Sequence, residues 1–329
     1  VPSLRPWARR LVTGLPLVLL AGCGSGSPAP GGAPSPSSTR PPAAVVTSAP
    51  AAAPASPGYS KVLVVAEENK TYRQVIGSGD APYINELAGR YGSAAAMRAG
   101  YPSTCPSLAA YVILTSGDPH GICDDADPSA HPLTGDNVFE QVAAGGREWR
   151  TYAESMPGDC RPTNSRDGLY LVRHAPAPYY VSERSRCPAW DVPLGTVSAG
   201  ALHDDLAAGR LPAFSFVTPN ACNDMHGAPG CSGNLVRLGD RWLSAWMPQI
   251  LASPDYRAGR LVVIVTWDEG STFDNHIPTL VISPTTSHRV ARLGYTHCST
   301  LRTVEELLRL PLLGCAARSR SMAAEFGLG

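Results

Sequence analysis

Five short runs rich in apolar and β-branched residues limit what this chain can fold into: KVLVVAEEN (61–69), EWRTYAE (148–154), AFSFVTPN (213–220), LVVIVTWDEG (261–270) and TLVISP (279–284). A strand with one wet face alternates apolar and polar residues; a near-continuous run needs cover on both faces. Between the runs lie helical stretches at 81–91, 107–115, 137–144, 199–208, 239–252 and 299–308. Strand and helix in alternation predict an α/β fold, with a mostly parallel central sheet and helices on both sides. No internal repeat is visible, and a hydrophobic content of 43% is enough for a real core.

The N-terminal part reads differently. Arg5, Arg9 and Arg10 precede LVTGLPLVLLAGC, a short apolar run that ends in small residues at Cys23. This is the layout of an export signal, and the run is too short to span a bilayer comfortably. LAGC (20–23) resembles a bacterial lipobox, which implies cleavage before Cys23 and lipidation of its thiol. The plain alternative is a secretory signal with an incidental cysteine. Residues 24–58 are Pro, Ala, Ser, Gly and Thr apart from Val45, Val46 and one charge at Arg40, a composition that stays a flexible tether. The expected organisation is a signal over 1–23, a tether over 24–58 and one catalytic domain over 59–329, exported and anchored by lipid to the outer face of the bacterial membrane.

Setting Cys23 aside leaves eight of the nine cysteines, an even number in a chain bound for an oxidising compartment. Pairing sequence neighbours is the simplest arrangement: Cys105–Cys123, Cys160–Cys187, Cys222–Cys231 and Cys298–Cys315. No CxxC occurs, which disfavours a thiolate zinc site. The 27 basic and 27 acidic residues cancel, which argues against a nucleic-acid partner.

Two of the strand runs end in acids. The first closes on Glu67, Glu68 and Asn69, the late one on Asp268 and Glu269. In an open parallel sheet, ligands bind beyond the carboxyl ends of strands. If these two strands are neighbours, several oxygen donors meet at one edge and repel one another unless a cation joins them. Oxygen ligands favour Mg²⁺, Ca²⁺ or Mn²⁺. Helix caps or arginine partners are the alternative use of such acids. Pro106-Ser107 then opens an apolar helical run, which puts the Ser107 hydroxyl at a helix N-terminus. That position suits a phosphate or an alkoxide nucleophile, though on spacing alone a plain N-cap is the first reading. Ser103 is the fallback nucleophile.

Taken in order, VVAEENKTYRQVIG, PSLAAYVILTSG, GDNVFEQV, VRHAPAPYY, NDMHG, GDRWLSAWMPQIL, VVIVTWDEG, NHIPTLVISP and YTHCSTLRTVEELLRLP resemble the bacterial phosphoesterase family that contains acid phosphatase A and phosphocholine-preferring phospholipases C. The resemblance covers most of residues 60–314. It implies an alkaline-phosphatase-like three-layer α/β/α sandwich that hydrolyses phosphate esters beside a bound divalent metal. By the same resemblance Glu68, Asn69, Asp268, Glu269 and Ser107 are the metal ligands, and Ser107 is also the nucleophile. Relatives read Ser-Leu-Pro-Asn-Tyr where this chain has Ser107-Leu108-Ala109-Ala110-Tyr111, so an Asn near the phosphate is missing; a disulfide at Cys105 is expected to stiffen the loop instead.

Phosphoryl transfer also needs a proton source and positive charge. His226, beside Asp224 in NDMHG, and His174, in VRHAPAPYY, rank first as catalytic groups; His276 and Asp224 are expected to contact substrate. The expectation is a monomeric phosphomonoesterase working through a phosphoserine. A phospholipase C-type phosphodiesterase and a non-catalytic surface lipoprotein on the same scaffold are the alternatives.

Overall fold

The computed structural model describes residues 58–329. The signal, Cys23 and all of the tether but Gly58 therefore lie outside the described residues. Eight strands form one sheet: β1 (Lys61–Glu67), β2 (Gly92–Ala94), β3 (Trp149–Ala153), β4 (Asp191–Pro193), β5 (Phe214–Thr218), β6 (Leu261–Trp267), β7 (Thr279–Ile282) and β8 (Arg289–Ala291). Their spatial order is β4-β3-β5-β1-β6-β7-β2-β8. Pairing is parallel except where β7 meets β6 and β2.

The five apolar runs are β1, β3, β5, β6 and β7. Their side chains are almost all fully buried because helices cover both faces. One set of helices packs together from Pro82–Arg90, Ala201–Ala208 and Leu235–Ala252; the other joins Leu108–Ser116, Val138–Ala144 and His297–Leu308. The result is the three-layer α/β/α sandwich. The strands β2, β4 and β8 have three residues each and no apolar run to announce them.

β1 and β6 lie side by side at the centre, in register from Lys61 opposite Leu261 to Glu67 opposite Trp267. The chain therefore leaves both strands at the same level. Four disulfides, Cys105–Cys123, Cys160–Cys187, Cys222–Cys231 and Cys298–Cys315, tie the loops. They fit an oxidising compartment outside the cytoplasm. Among the described residues, no helix is long and apolar enough to cross a membrane.

Candidate active site

The central strand pair delivers its acids to one place. Beyond β1, the Glu68 N–H donates to the Asp224 carbonyl at 2.7 Å; beyond β6, the Asp268 N–H donates to the Glu67 carbonyl at 2.8 Å. The Asn69 N–H then reaches Asp268 Oδ1 at 3.0 Å. Glu67, Glu68, Asp224 and Asp268 are all fully buried.

Ser107 occupies the N-cap of the Leu108–Ser116 helix, yet its side chain makes no cap hydrogen bond. Asp125 takes over that role, with Oδ1 accepting the Leu108 N–H at 3.1 Å. The freed Ser107 hydroxyl donates to Glu68 Oε2 at 3.1 Å. One turn along, on the same helix face, the Tyr111 hydroxyl donates to Glu68 Oε1 at 2.7 Å. The Asn69 side-chain amide donates to Glu68 Oε2 at 2.9 Å. Ser107 is thus turned from its own helix toward the acids.

Two histidines close the group. His174 stacks on Tyr111 with ring centroids 5.2 Å apart. Its Nδ1 lies 3.1 Å from Asp224 Oδ2 and its Nε2 lies 3.1 Å from Glu68 Oε1. His226 Nδ1 lies 2.7 Å from the Gly227 carbonyl, which can only accept, so Nδ1 carries the proton. Its Nε2 then accepts from Arg173 Nη2 at 3.0 Å. The Arg173 Nε in turn sits 3.0 Å from Asp125 Oδ2. Asp125 therefore connects the cap of the Ser107 helix to the guanidinium that holds His226. The Cys105–Cys123 disulfide, two residues from Ser107 at one end and two from Asp125 at the other, pins these two segments together.

Burial dominates the electrostatics. It drives Glu68 well above the usual carboxylate range, and the charges of Asp268 and Asp224 push it further. Burial raises Asp224 likewise and takes Asp268 up to about 6. Glu269 is pushed up to about 8, by burial and then by Asp268. His174 goes well below its ordinary value through burial, then through Arg173 and His226. Acids pushed up and a histidine pushed down share one cause: too many charged groups lie out of water with too little compensating charge. Lys70 and Arg173 are the cations that lower Glu68, Glu67 or Asp224. Asp268 Oδ2 and both oxygens of Glu67 are buried without a hydrogen-bond partner.

An orphaned carboxylate oxygen inside an acidic cluster fits a divalent cation. Glu68, Ser107 and Asp268 offer it oxygen donors. Glu68, His174 and His226 also present donor atoms within 4.8 Å of one another. In that set His226 Nε2 is already engaged by Arg173, so the oxygen donors carry the fit.

Other residues singled out in the sequence sit elsewhere. Asn69 is at the cluster through its backbone and amide. Half-buried Glu269 accepts from the Tyr101 hydroxyl at 3.2 Å. Asp224 is not placed against a substrate: it is fully buried, with one oxygen at His174 and the other accepting the His226 N–H at 2.7 Å. It orients the histidines. His276 stacks on Tyr72 and places Nε2 3.0 Å from the Ala95 carbonyl, sharing no hydrogen bond with the cluster. Ser103 has none to it either. Sequence reading missed Tyr111, Asp125, Arg173, Tyr101 and His297, whose Nε2 meets the Asp268 carbonyl. Only Tyr111 left a usable signal, its four-residue spacing from Ser107.

The sandwich resembles that of a protein in the alkaline phosphatase superfamily from Vibrio parahaemolyticus, with a TM-score of 0.54 and 13% identity over 76% of this chain and 66% of that one. At such identity the likeness concerns the fold. In sequence, the chain is 29% identical over 274 residues to a phosphatidylinositol-3-phosphatase of Mycobacterium tuberculosis, spanning 82% of this chain and 83% of the relative. It is 25% identical over 228 residues to an acid phosphatase of Aspergillus fumigatus, covering 65% of this chain and 48% of that longer protein. The protein is a phosphoric ester hydrolase, which sets aside the reading as a non-catalytic binding module. Residues 78–311 match the Phosphoesterase family, and the chain belongs to that family.

Proposed function

We propose that this protein is an acid-phosphatase-like phosphomonoesterase with Ser107 as its nucleophile and a divalent cation at Glu68, Ser107 and Asp268. The observation that carries the reading is the Ser107 hydroxyl, which gives up its helix cap and faces Glu68. With its proton directed at Glu68 Oε2, the oxygen's lone pairs are free to meet phosphorus. Attack forms a P–Oγ bond and expels the substrate alcohol in line; water then attacks phosphorus, the P–Oγ bond breaks and phosphate leaves. A bound divalent ion would supply positive charge to a serine alkoxide and to the phosphoryl oxygens. Arg173 and Lys70 add fixed charge at the same edge. His226 Nε2 accepts from Arg173 and so holds that guanidinium at the site; the leaving oxygen takes its proton from solvent water, and Glu68 returns its proton to Ser107 when the P–Oγ bond breaks. Asp224 and Tyr111 hold His174 in place beside Glu68.

The reading is tested with p-nitrophenyl phosphate, bis-p-nitrophenyl phosphate and two variants, Ser107→Ala and Asp268→Asn. Undiminished turnover in both would end it. Faster cleavage of the diester by the parent would shift the assignment to a phospholipase C-type phosphodiesterase. Export and lipidation at Cys23 belong to the same proposal and are supported by the LAGC motif and the four disulfides. Mass spectrometry of the mature N-terminus tests them. The domain is proposed to act as a monomer.

A further inference from the structure

Just past the acidic pair Asp268-Glu269, one aromatic side chain packs against nothing. Phe273 is 97% exposed, far beyond any other large apolar side chain among the described residues. Its loop is nonetheless held firmly. The Asn275 N–H donates to the Thr272 carbonyl at 3.0 Å, which closes a turn with Phe273 and Asp274 at its tip. The Gly270 N–H donates to Asn275 Oδ1 at 2.6 Å, and Asn275 adopts a left-handed φ of 48°. A Cβ at Gly270 would lie 3.3 Å from both Thr71 Cγ2 and the His276 carbonyl. His276 itself stacks on Tyr72 at 4.8 Å. Both ends of the turn are thus clamped to the Thr71–Tyr72 segment, so the phenyl ring is presented to solvent by a fixed support.

The same support borders a cleft of about 460 Å³ that Lys70, Arg73 and Gln74 help to line. The Ser271 hydroxyl reaches Gln74 Oε1 at 3.5 Å and joins the loop to the cleft rim. Arg73 is exposed and has no ion-pair partner among the described residues. The one acid lining the cleft, Asp80, is already held by Arg237 and Asn234 at 2.7 and 2.8 Å. Beside the catalytic edge, then, an apolar tip stands on the same support as an unpaired arginine, while the carboxylate at the tip, Asp274, has Arg98 Nη2 at 3.8 Å. That pairing complements a surface with anionic headgroups outside and hydrocarbon beneath. We propose that Phe273 and Arg73 dock the catalytic edge on an anionic phospholipid surface, the ring entering the lipid layer and the guanidinium meeting headgroup phosphates. The proposal rests on the phosphomonoesterase reading and adds to it a surface that brings the catalytic edge to a membrane.

The test uses the full chain with Cys23→Ala, so that no lipid anchor contributes. Co-sedimentation is measured with vesicles of phosphatidylcholine alone and of phosphatidylcholine mixed with phosphatidylserine. The parent should bind the mixed vesicles and bind the neutral ones more weakly. Phe273→Ala and Arg73→Glu should each lower binding to mixed vesicles about tenfold. Turnover of soluble p-nitrophenyl phosphate should stay unchanged in both. Absence of parental binding, equal binding to both vesicle types, or variants that bind like the parent would overturn the docking proposal. So would a matching loss of soluble turnover, which would make the loop part of the catalytic machinery. Failure of the nucleophile assignment appears separately, as undiminished soluble turnover in Ser107→Ala.

Discussion

At the entry end of β1 and β6, Asp255 is fully buried and held on every side. Lys61, the first residue of β1, and Arg260, just before β6, each reach it at 2.7 Å, and the Leu211 N–H reaches it at 3.2 Å. At the exit end of the same two strands, Asp268 is equally buried, receives one backbone N–H on Oδ1 and leaves Oδ2 without a partner. The two aspartates share a sheet and a depth. They differ in that the protein supplies its own cations to Asp255 and none in contact to Asp268. Asp255, neutralised from within, serves the fold; Asp268 is the acid that the proposed divalent cation would neutralise.

That contrast can be broken by experiment. The largest effect belongs to Ser107→Ala, which should lower turnover of p-nitrophenyl phosphate by about a thousandfold or more, since it removes the proposed nucleophile and with it the covalent route. Stability should hold, because the hydroxyl caps nothing. Next comes a paired measurement by urea unfolding in the presence of a chelator. Asp255→Asn should destabilise by about 1–2 kcal/mol, because it removes the charge shared by Lys61 and half-exposed Arg260 and weakens the acceptor of the Leu211 N–H. Asp268→Asn should leave stability unchanged or raise it, because it relieves repulsion with Glu68, while turnover collapses. Equal destabilisation by both would erase the distinction between the two ends. Replacing Cys105 and Cys123 together by Ala should cost about 3 kcal/mol for a loop of this size. It should also cut turnover in the variant that remains folded, because the bridge joins Ser107 to the Asp125–Arg173–His226 chain.

The smallest effect concerns a third kind of buried acid. Burial pushes Asp191 up to about 7, against a partial opposing effect of its hydrogen bond from Thr151. Its folded value lies above its unfolded value, so the folded state binds the proton more tightly. This group's contribution is favourable at low pH and is lost as pH rises from about 4 to about 7. Asp191→Asn should flatten that part of the stability profile without altering turnover. A parallel profile in the variant would show that Asp191 does not titrate there.

The sandwich was legible because a strand covered on both faces must be apolar throughout, and such runs stand out. The short strands β2, β4 and β8 were not, since they owe their pairing to the sheet already beside them. Glu68 and Asp268 stood out because acids directly after an apolar strand need a cap, an arginine or a cation, although the local pattern does not say which. Asp125 lies in a loop rich in acids that looks like solvated surface, and Arg173 is one arginine among many. Their roles come from contacts between distant segments, which no local pattern encodes. Asp224 was found but given the wrong neighbour: sequence placed it near the site, and only geometry shows that histidines take up both its oxygens. His276 has the converse history, drawn toward the phosphate by its nearness to Asp268 in the chain and found instead clamping the Phe273 loop.

The register of β1 against β6 has a wider consequence. Adding or deleting one residue inside either strand would turn its terminal acid to the opposite face. Mutations of length are therefore barred from these strands but open to the loops around them. A lineage built on this scaffold can exchange the rims that choose its substrates while its acidic floor stays fixed.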